Sequence, residues 1–466
     1  MNVLPTSRFL TKGSCFHVAF ILTATRTLVA QVSDAFSQTA RTHGSSHAFR
    51  EQGAASFLGE VSSWLRSANI SHREIAVPQS PFPIVALGTR DDGESRDRRN
   101  GCCLHVIPTP NATSDPMPPH LCKMLTDNDI GDAGPRFPWD TIIHLHQDVW
   151  GNKTDIVKAR ISARVNRVKC SYARKTILKR IDKPTAMQFL ERHHLWGATK
   201  AKHNYGLLDK STGELLAVAT FSPRRHVQRG TSSRPHRSHE LIRYCSRRDG
   251  RVAGGITKLV AGFCRDLALA PDDLVTCIDR DWGDGGGWGG LGFEGVGVLP
   301  PLVMVVGGDG VRRYLVGAGV GPQRSNNGER TGIQGTGGDK EKARRGRPGI
   351  SLALYHALDE TANAQEAVDC LRSHGLYPVY DAGVERRMLL TSRSKWKARP
   401  GMPQEERESE APPSEDRRTV RDLWTTSTPS FPSEYYSPNR GVEHLLRWAQ
   451  RESEECARGR GPARDP

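Results

Sequence analysis

Hydrophobic and polar positions fall into periodic patterns mainly between residues 139 and 390. Trp139–His146 alternates as a strand, and Lys153–Arg164 places Ile156, Val157, Ala159, Ile161 and Ala163 at helical spacing on a charged background. Ala173–Ile181 alternates again, and Pro184–His193 reads as a helix with proline in its first turn, where a missing N–H leaves no intrahelical bond unmade. Tyr205–Leu208 and Leu215–Phe221 flank a polar turn containing Gly213, the pattern of a hairpin. A basic loop, a strand at Glu240–Cys245, two glycines opening a helix at Ile256–Leu269, and a strand at Asp273–Asp279 follow. This order predicts an α/β (α+β) fold, a mixed sheet flanked by helices. After a segment rich in Gly, Asn, Arg and Lys at 317–349, helical spacing returns at Ala353–Leu371, and Tyr377–Leu390 reads as loop and strand.

The flanks lack such patterns. Residues 34–138 are rich in Ser, Gly and Pro apart from patches such as Ile84–Leu87 and are expected to be mostly disordered, and 392–466 reads as a polar, proline-rich, disordered tail. Composition agrees, because 46 Gly and 29 Pro among 466 residues exceed what a compact domain uses. The first acidic residue is Asp34, preceded by Arg8, Lys12, Arg26, several Ser/Thr and an apolar run at Cys15–Leu22, so residues 1–33 resemble an organelle transit peptide, chloroplast or mitochondrial. A secretory signal is the rival reading, although His17 and Arg26 bound the apolar run tightly; without either signal the cytoplasm or nucleus is expected. No run of eighteen apolar residues occurs, so no membrane partner is expected. The ten cysteines are scattered and several lie in apolar runs, a pattern of free packed thiols. A net charge of +15 favours polyanionic partners, DNA or RNA first.

Arg251-Val252-Ala253-Gly254-Gly255-Ile256-Thr257-Lys258 follows a strand and starts a helix, so unpaired amides and close backbone approach could cradle a phosphate; a plain turn before a helix is the alternative. Arg224 and Arg225 in the basic loop, with Arg345-Gly346-Arg347-Pro348, whose core resembles an AT-hook for the narrow minor groove, are candidate nucleic-acid contacts; solvated basic linkers are the alternative. Glu240 is the candidate general base, with a strand-end salt bridge as the rival role. Strict alternation would put Glu240 and Arg243 on opposite faces. His194, at a helix end, is a further catalytic candidate. Cys102-Cys103-x-His105 and His120-x-Cys122 match no common zinc spacing, and no metal is expected.

These motifs together resemble the GNAT superfamily of N-acyltransferases: strand, Arg-x-x-Gly-Gly-x-Thr-Lys, helix, strand, and a short segment Trp288–Phe293. The closer likeness is to the GNAT-like module of phage and algal proteins that often follows a very-short-patch-repair-like, homing-endonuclease-type nuclease domain. It is carried by His146-Gln147-Asp148-Val149-Trp150, Glu240-Leu241-x-Arg243, Asp279-Arg280-x-Trp282 and Tyr380-Asp381-Ala382-Gly383. The resemblance implies a domain at 139–316, an insertion at 317–349 and a completion at 350–391. It also implies acetyl-CoA or a related thioester held by Arg251, Gly254, Gly255, Thr257 and Lys258, and direct attack by an acceptor amine that the sequence does not name. Ile256 departs from the family's small residue, and Trp288 stands where the family has a tyrosine that protonates the thiolate; an indole N–H has no accessible acid pKa. No acidic nuclease core appears upstream, so nuclease activity is not supported. Two functions therefore stand: an acyltransferase, or a non-catalytic nucleic-acid-binding module derived from a mobile nuclease.

Overall fold

The computed structural model describes residues 44–391 except 79, 89–99, 112–116, 128–136, 138, 231, 233, 284, 300 and 318–348. The chain divides into two units, Met1–Ala55 and Ser56–Pro466. Of the first, the described part is the start of helix α1 (Gly44–Ser67). The expected transit segment, the AT-hook-like residues Arg345, Gly346, Arg347 and Pro348, and the tail lie outside the described residues.

The second unit is a mixed α/β assembly with several sheets. Its first layer holds β1 (His72–Ile75), β2 (Ile84–Leu87), β3 (Asn100–Ile107) and β4 (Trp139–His146), in that spatial order, with β1 to β3 antiparallel and β4 parallel to β3. A parallel pair needs a crossover, and helix α2 (Pro119–Asp127) lies within it. Phe57, Val61 and Leu65 recur every four residues along α1 and bury one stripe against Leu104, Val106, Ile143 and Leu145, the alternate positions of β3 and β4. The expectation of disorder across 34–138 is thereby corrected for the described part. β1 and β2 are four residues each, β2 is buried at every position and so shows no alternation, and polar loops separate them.

Helices α3 (Gln147–Asn152) and α4 (Thr154–Arg164) lead through β5 (Lys169–Tyr172) to the central sheet. Its strands are β6 (Thr176–Arg180), β7 (His203–Asp209), β8 (Leu215–Phe221), β9 (Arg225–Val227), β10 (His236–Ser246), β12 (Asp273–Asp279), β13 (Glu294–Leu299) and β18 (Val384–Leu390), in the order β13-β18-β12-β10-β8-β7-β6 with β9 beside β10. β10 and β12 are parallel; the other neighbours are antiparallel. Helix α5 (Lys183–His193) packs Ala186, Phe189 and Leu190 on one face against Val218, and its N-cap Asp182 accepts a bond from the Thr185 amide. Helix α6 (Gly255–Asp266) packs Leu259, Val260 and Phe263 on the other face, and Phe263 stacks on Phe221 at 3.9 Å. Full burial of each such side chain contributes roughly 1.5–3 kcal/mol. Gly262 lets α6 close onto β6, since a Cβ there would lie 2.0 Å from Leu178 Cδ2.

β11 (Gly250–Ala253) runs parallel to β5 and delivers the chain to α6. Between β13 and β18 a side sheet of β14 (Val303–Gly307), β15 (Arg312–Gly317), β16 (Gly349–Ile350) and β17 (Leu376–Tyr380) builds its own core with α8 (Leu352–Asp359) and α9 (Ala364–Ser373). The segment set apart from the central sheet is thus broader than 317–349, while β18 does complete that sheet from a distant part of the chain.

Candidate binding cavity

The parallel strands β10 and β12 pair over four positions, from Ser238 opposite Asp273 to Leu241 opposite Thr276. Beyond that point Arg243–Ser246 pair with β8 alone, and Cys277–Asp279 pair with β18 alone. A bulge between Leu241 and Arg243 marks the separation, and an extra residue in one strand bends it. A cavity of about 740 Å³ opens at the gap, lined by β10 from Glu240 to Ser246 and by β12 from Thr276 to Asp279. Strand β11, helix α4 and the short helix α7 (Gly286–Gly289) complete its walls.

The bulge also changes which side chains share a face. Leu241 and Tyr244 both pack in the α6-side core, whereas Cys245 packs in the α5-side core. Glu240 and Arg243 both act on the Cys277 thiol electrostatically. The strict alternation that separated Glu240 from Arg243 is therefore corrected: one inserted residue shifts the phase and brings them to one side.

The cavity gathers four of the residues singled out from the sequence: Glu240, His194, Arg251 and Trp288. Glu240 pairs with Arg225 at 3.8 Å, and its backbone amide donates to Ser222 Oγ at 2.8 Å. His194 Nδ1 accepts a 3.1 Å bond from the Trp196 amide, so the neutral ring carries its proton on Nε2. Burial, then Arg243 and Arg160, hold its pKa well below the usual value and keep it neutral. In that tautomer it is a hydrogen-bond donor and not a base. Trp288 stands edge-on to Phe293, with ring centroids 5.4 Å apart.

At the start of α6 the picture is divided. Gly254, at φ 71°, adopts the left-handed conformation that turns the chain from β11 into the helix. Gly255 is needed for close packing, since a Cβ there would come within 3.0 Å of Val252 Cβ and 3.2 Å of Tyr244 Oη. The Tyr244 hydroxyl bonds the Ile256 amide, occupying one donor that a phosphate would use, and burial raises its pKa. Lys258 turns away: its Nζ donates to the Ala173 carbonyl at 2.8 Å and to that of Thr176 at 2.5 Å, closing the β5–β6 turn. Gly254, Gly255 and Thr257 adjoin the cavity without lining it, whereas Arg251 and Ile256 line it directly.

The motif at Asp279 is a capped turn at the carboxyl end of β12. Asp279 accepts from the Asp281 amide at 3.0 Å and from Trp196 Nε1 at 2.8 Å, while Arg280 pairs with Asp127. Burial and the neighbouring Asp281 raise the Asp279 pKa to about 6. The basic loop before β10 is largely committed to structure. Arg229 forms a buried pair with Asp273, Arg234 and Arg237 hold Asp272, and Arg225 faces Glu240, while Arg224 is exposed.

A polar group that the sequence reading did not assemble lies between the first sheet and α2. His105, Cys122 and His144 bring ligand-type atoms within 4.8 Å of one another, all buried. The two rings share a 2.9 Å Nδ1–Nδ1 bond, and Ser80 and Thr126 continue the chain at 3.1 and 2.7 Å. Burial drives the His144 pKa down to about 3 and the Cys122 thiol well up, so the ring and the thiol stay neutral. Of the cysteine and histidine candidates in the sequence, His105 and Cys122 meet here; His144 came from the strand alternation and carried no motif. β2 and the described side chains of β3 contribute no carboxylate. All eight described cysteines are free, and no helix among the described residues is long and apolar enough to cross a membrane.

Comparison of the chain with protein-family models, with curated proteins and with solved structures finds no match.

Proposed function

We propose that the chain is an N-acyltransferase of the GNAT type, with acetyl-CoA or a related thioester as donor. The observation that carries this reading is the gap between β10 and β12. Parted strand edges present backbone donors and acceptors to an extended, amide-containing arm, the same physics by which a peptide adds to a sheet edge. The α6 N-terminus and Arg251 stand at one side of the gap for the diphosphate, with the Ile256 amide already capped and Lys258 withdrawn. Glu240 and His194 stand at the other.

When bound, the donor supplies an activated acyl carbon. Glu240 takes the proton that the acceptor amine loses as the C–N bond forms, through water. The C–S bond breaks with its electron pair on sulfur, and water returns the proton, because the Trp288 indole cannot. His194, neutral and with its proton on Nε2, lines the same side and supplies no base.

A second reading, a nucleic-acid-binding module without catalysis, draws on a neighbouring surface groove where Lys158, Arg192, Arg247 and Arg248 outnumber Asp155 and Asp249. Isothermal titration separates the two. Saturable acetyl-CoA binding that Arg251→Ala weakens supports the transferase; no binding at near-millimolar acetyl-CoA, with A·T-rich DNA still bound, supports the module.

A further inference from the structure

We infer that the α4 wall of the cavity is an anion subsite shaped for a phosphate monoester on the acyl acceptor. The subsite itself stands on its geometry; its assignment to the acceptor rests on the acyl-transfer reading.

Arg160 and Arg164 sit four residues apart on α4, so both project from one face. Trp282 fixes both forks. The Arg160 guanidinium lies over its ring, 4.3 Å from the centroid, and Arg164 Nη2 donates to its backbone carbonyl at 2.8 Å. No carboxylate comes within ion-pair distance of Arg160 among the described residues. Its neighbour Asp279 spends its oxygens on Trp196 and on the Asp281 amide.

The rest of the lining does not restore the balance. Six arginines (160, 164, 243, 247, 248 and 251) and three carboxylates line the cavity. Glu240 pairs with Arg225, Asp279 is committed as above, and Asp381 accepts from the Leu302 and Gly383 amides. Arg247 and Arg248 have their own partners, Asp249 and Asp155, outside the cavity lining. Burial lowers the Arg160 pKa to about 10 even with the charge of Asp279 nearby, and an anionic ligand at hydrogen-bond distance offsets that cost.

Geometry favours phosphate over carboxylate. Arg160 and Arg164 on α4 and His194 in the segment after α5 line the cavity from different elements, and donors set in more than one plane suit a tetrahedral oxyanion better than a planar one. Arg160 and Arg164 belong to α4 and Trp282 to the turn after β12, elements other than the β11–α6 turn, so the subsite does not duplicate the diphosphate position.

The test follows the His194 ring signal of the full-length chain by NMR, identified by its loss in His194→Gln, during titration with inorganic phosphate and with O-phosphoethanolamine, ethanolamine serving as control. Both phosphates are expected to move the signal saturably and ethanolamine is not. Arg160→Gln should weaken phosphate at least tenfold, and Arg160→Lys should restore part of the affinity. A static His194 signal, or phosphate affinity unchanged by Arg160→Gln in a variant with wild-type thermal stability, overturns the proposal. A parallel acetyl-CoA titration keeps the two ideas apart: phosphate binding without acetyl-CoA binding leaves the subsite and removes the acceptor assignment.

Discussion

Replacing Asp279 by Asn should change how the stability of the protein depends on pH. The carboxyl is buried beside Asp281, and its pKa stands at about 6 against an ordinary 3.8. Between those values the folded chain holds a proton that the unfolded chain has lost. Stability from this group is therefore present at low pH and disappears as pH rises through 6. A shift of about two units corresponds to about 3 kcal/mol over the whole window, of which about 1.4 kcal/mol falls between about pH 5 and pH 7.5. An asparagine side chain does not titrate. It keeps one acceptor for the Asp281 amide and loses the one that serves Trp196 Nε1, a cost that does not vary with pH. Urea denaturation of both proteins, followed by tryptophan fluorescence at the two pH values, isolates the titrating part as the change in their difference. The Asp279→Asn variant should gain on the wild type by about 1.4 kcal/mol as pH rises. A difference that is the same at both pH values would refute the reasoning, because the carboxyl would then be ionised throughout.

Other substitutions probe the frame around the cavity. Gly262→Ala places a methyl 2.0 Å from Leu178 Cδ2 and should cost about 1–3 kcal/mol by overpacking α6 against β6, read as a lowered midpoint in thermal denaturation. Tyr244→Phe uncaps the Ile256 amide; it should cost about 1 kcal/mol of stability, and any change in acetyl-CoA affinity should be a gain, since a donor is freed. Glu240→Gln should lower the rate of thiol release from acetyl-CoA in the presence of an amine acceptor by about 10²-fold or more, with acetyl-CoA affinity retained.

Most of the central sheet was legible because its longer strands and helices carry periodic apolar positions, whereas the three-residue β9 and the glycine-containing β13 were not read as strands. The hairpin of β7 and β8 and the α6 periodicity of Leu259, Val260 and Phe263 announce themselves. Of the first sheet only β4 was read as a strand, because β1 and β2 are four residues each, β2 is buried on both faces, and His105 in β3 takes a buried position where an apolar residue would have shown the pattern. At the cavity, residue types were readable but phase was not. The bulge after Leu241 carries no glycine or proline to mark it, so Arg243 was assigned to the wrong face. The family resemblance implied Lys258 as a cofactor ligand, yet carbonyls of the distant β5–β6 turn claim its ammonium. Trp282 was visible in a motif and Arg160 lay in a predicted helix, and their stacking depends on the packing of α4 against the turn after β12.

Amide hydrogen exchange along β10 and α6, with and without acetyl-CoA, tests the central claim most directly. If the gap holds the donor, the amides of residues 242–246 and of the first turn of α6 gain protection on addition of acetyl-CoA, while those of β6 and β7 are unchanged. Unaltered exchange at 242–246 under saturating acetyl-CoA would contradict it.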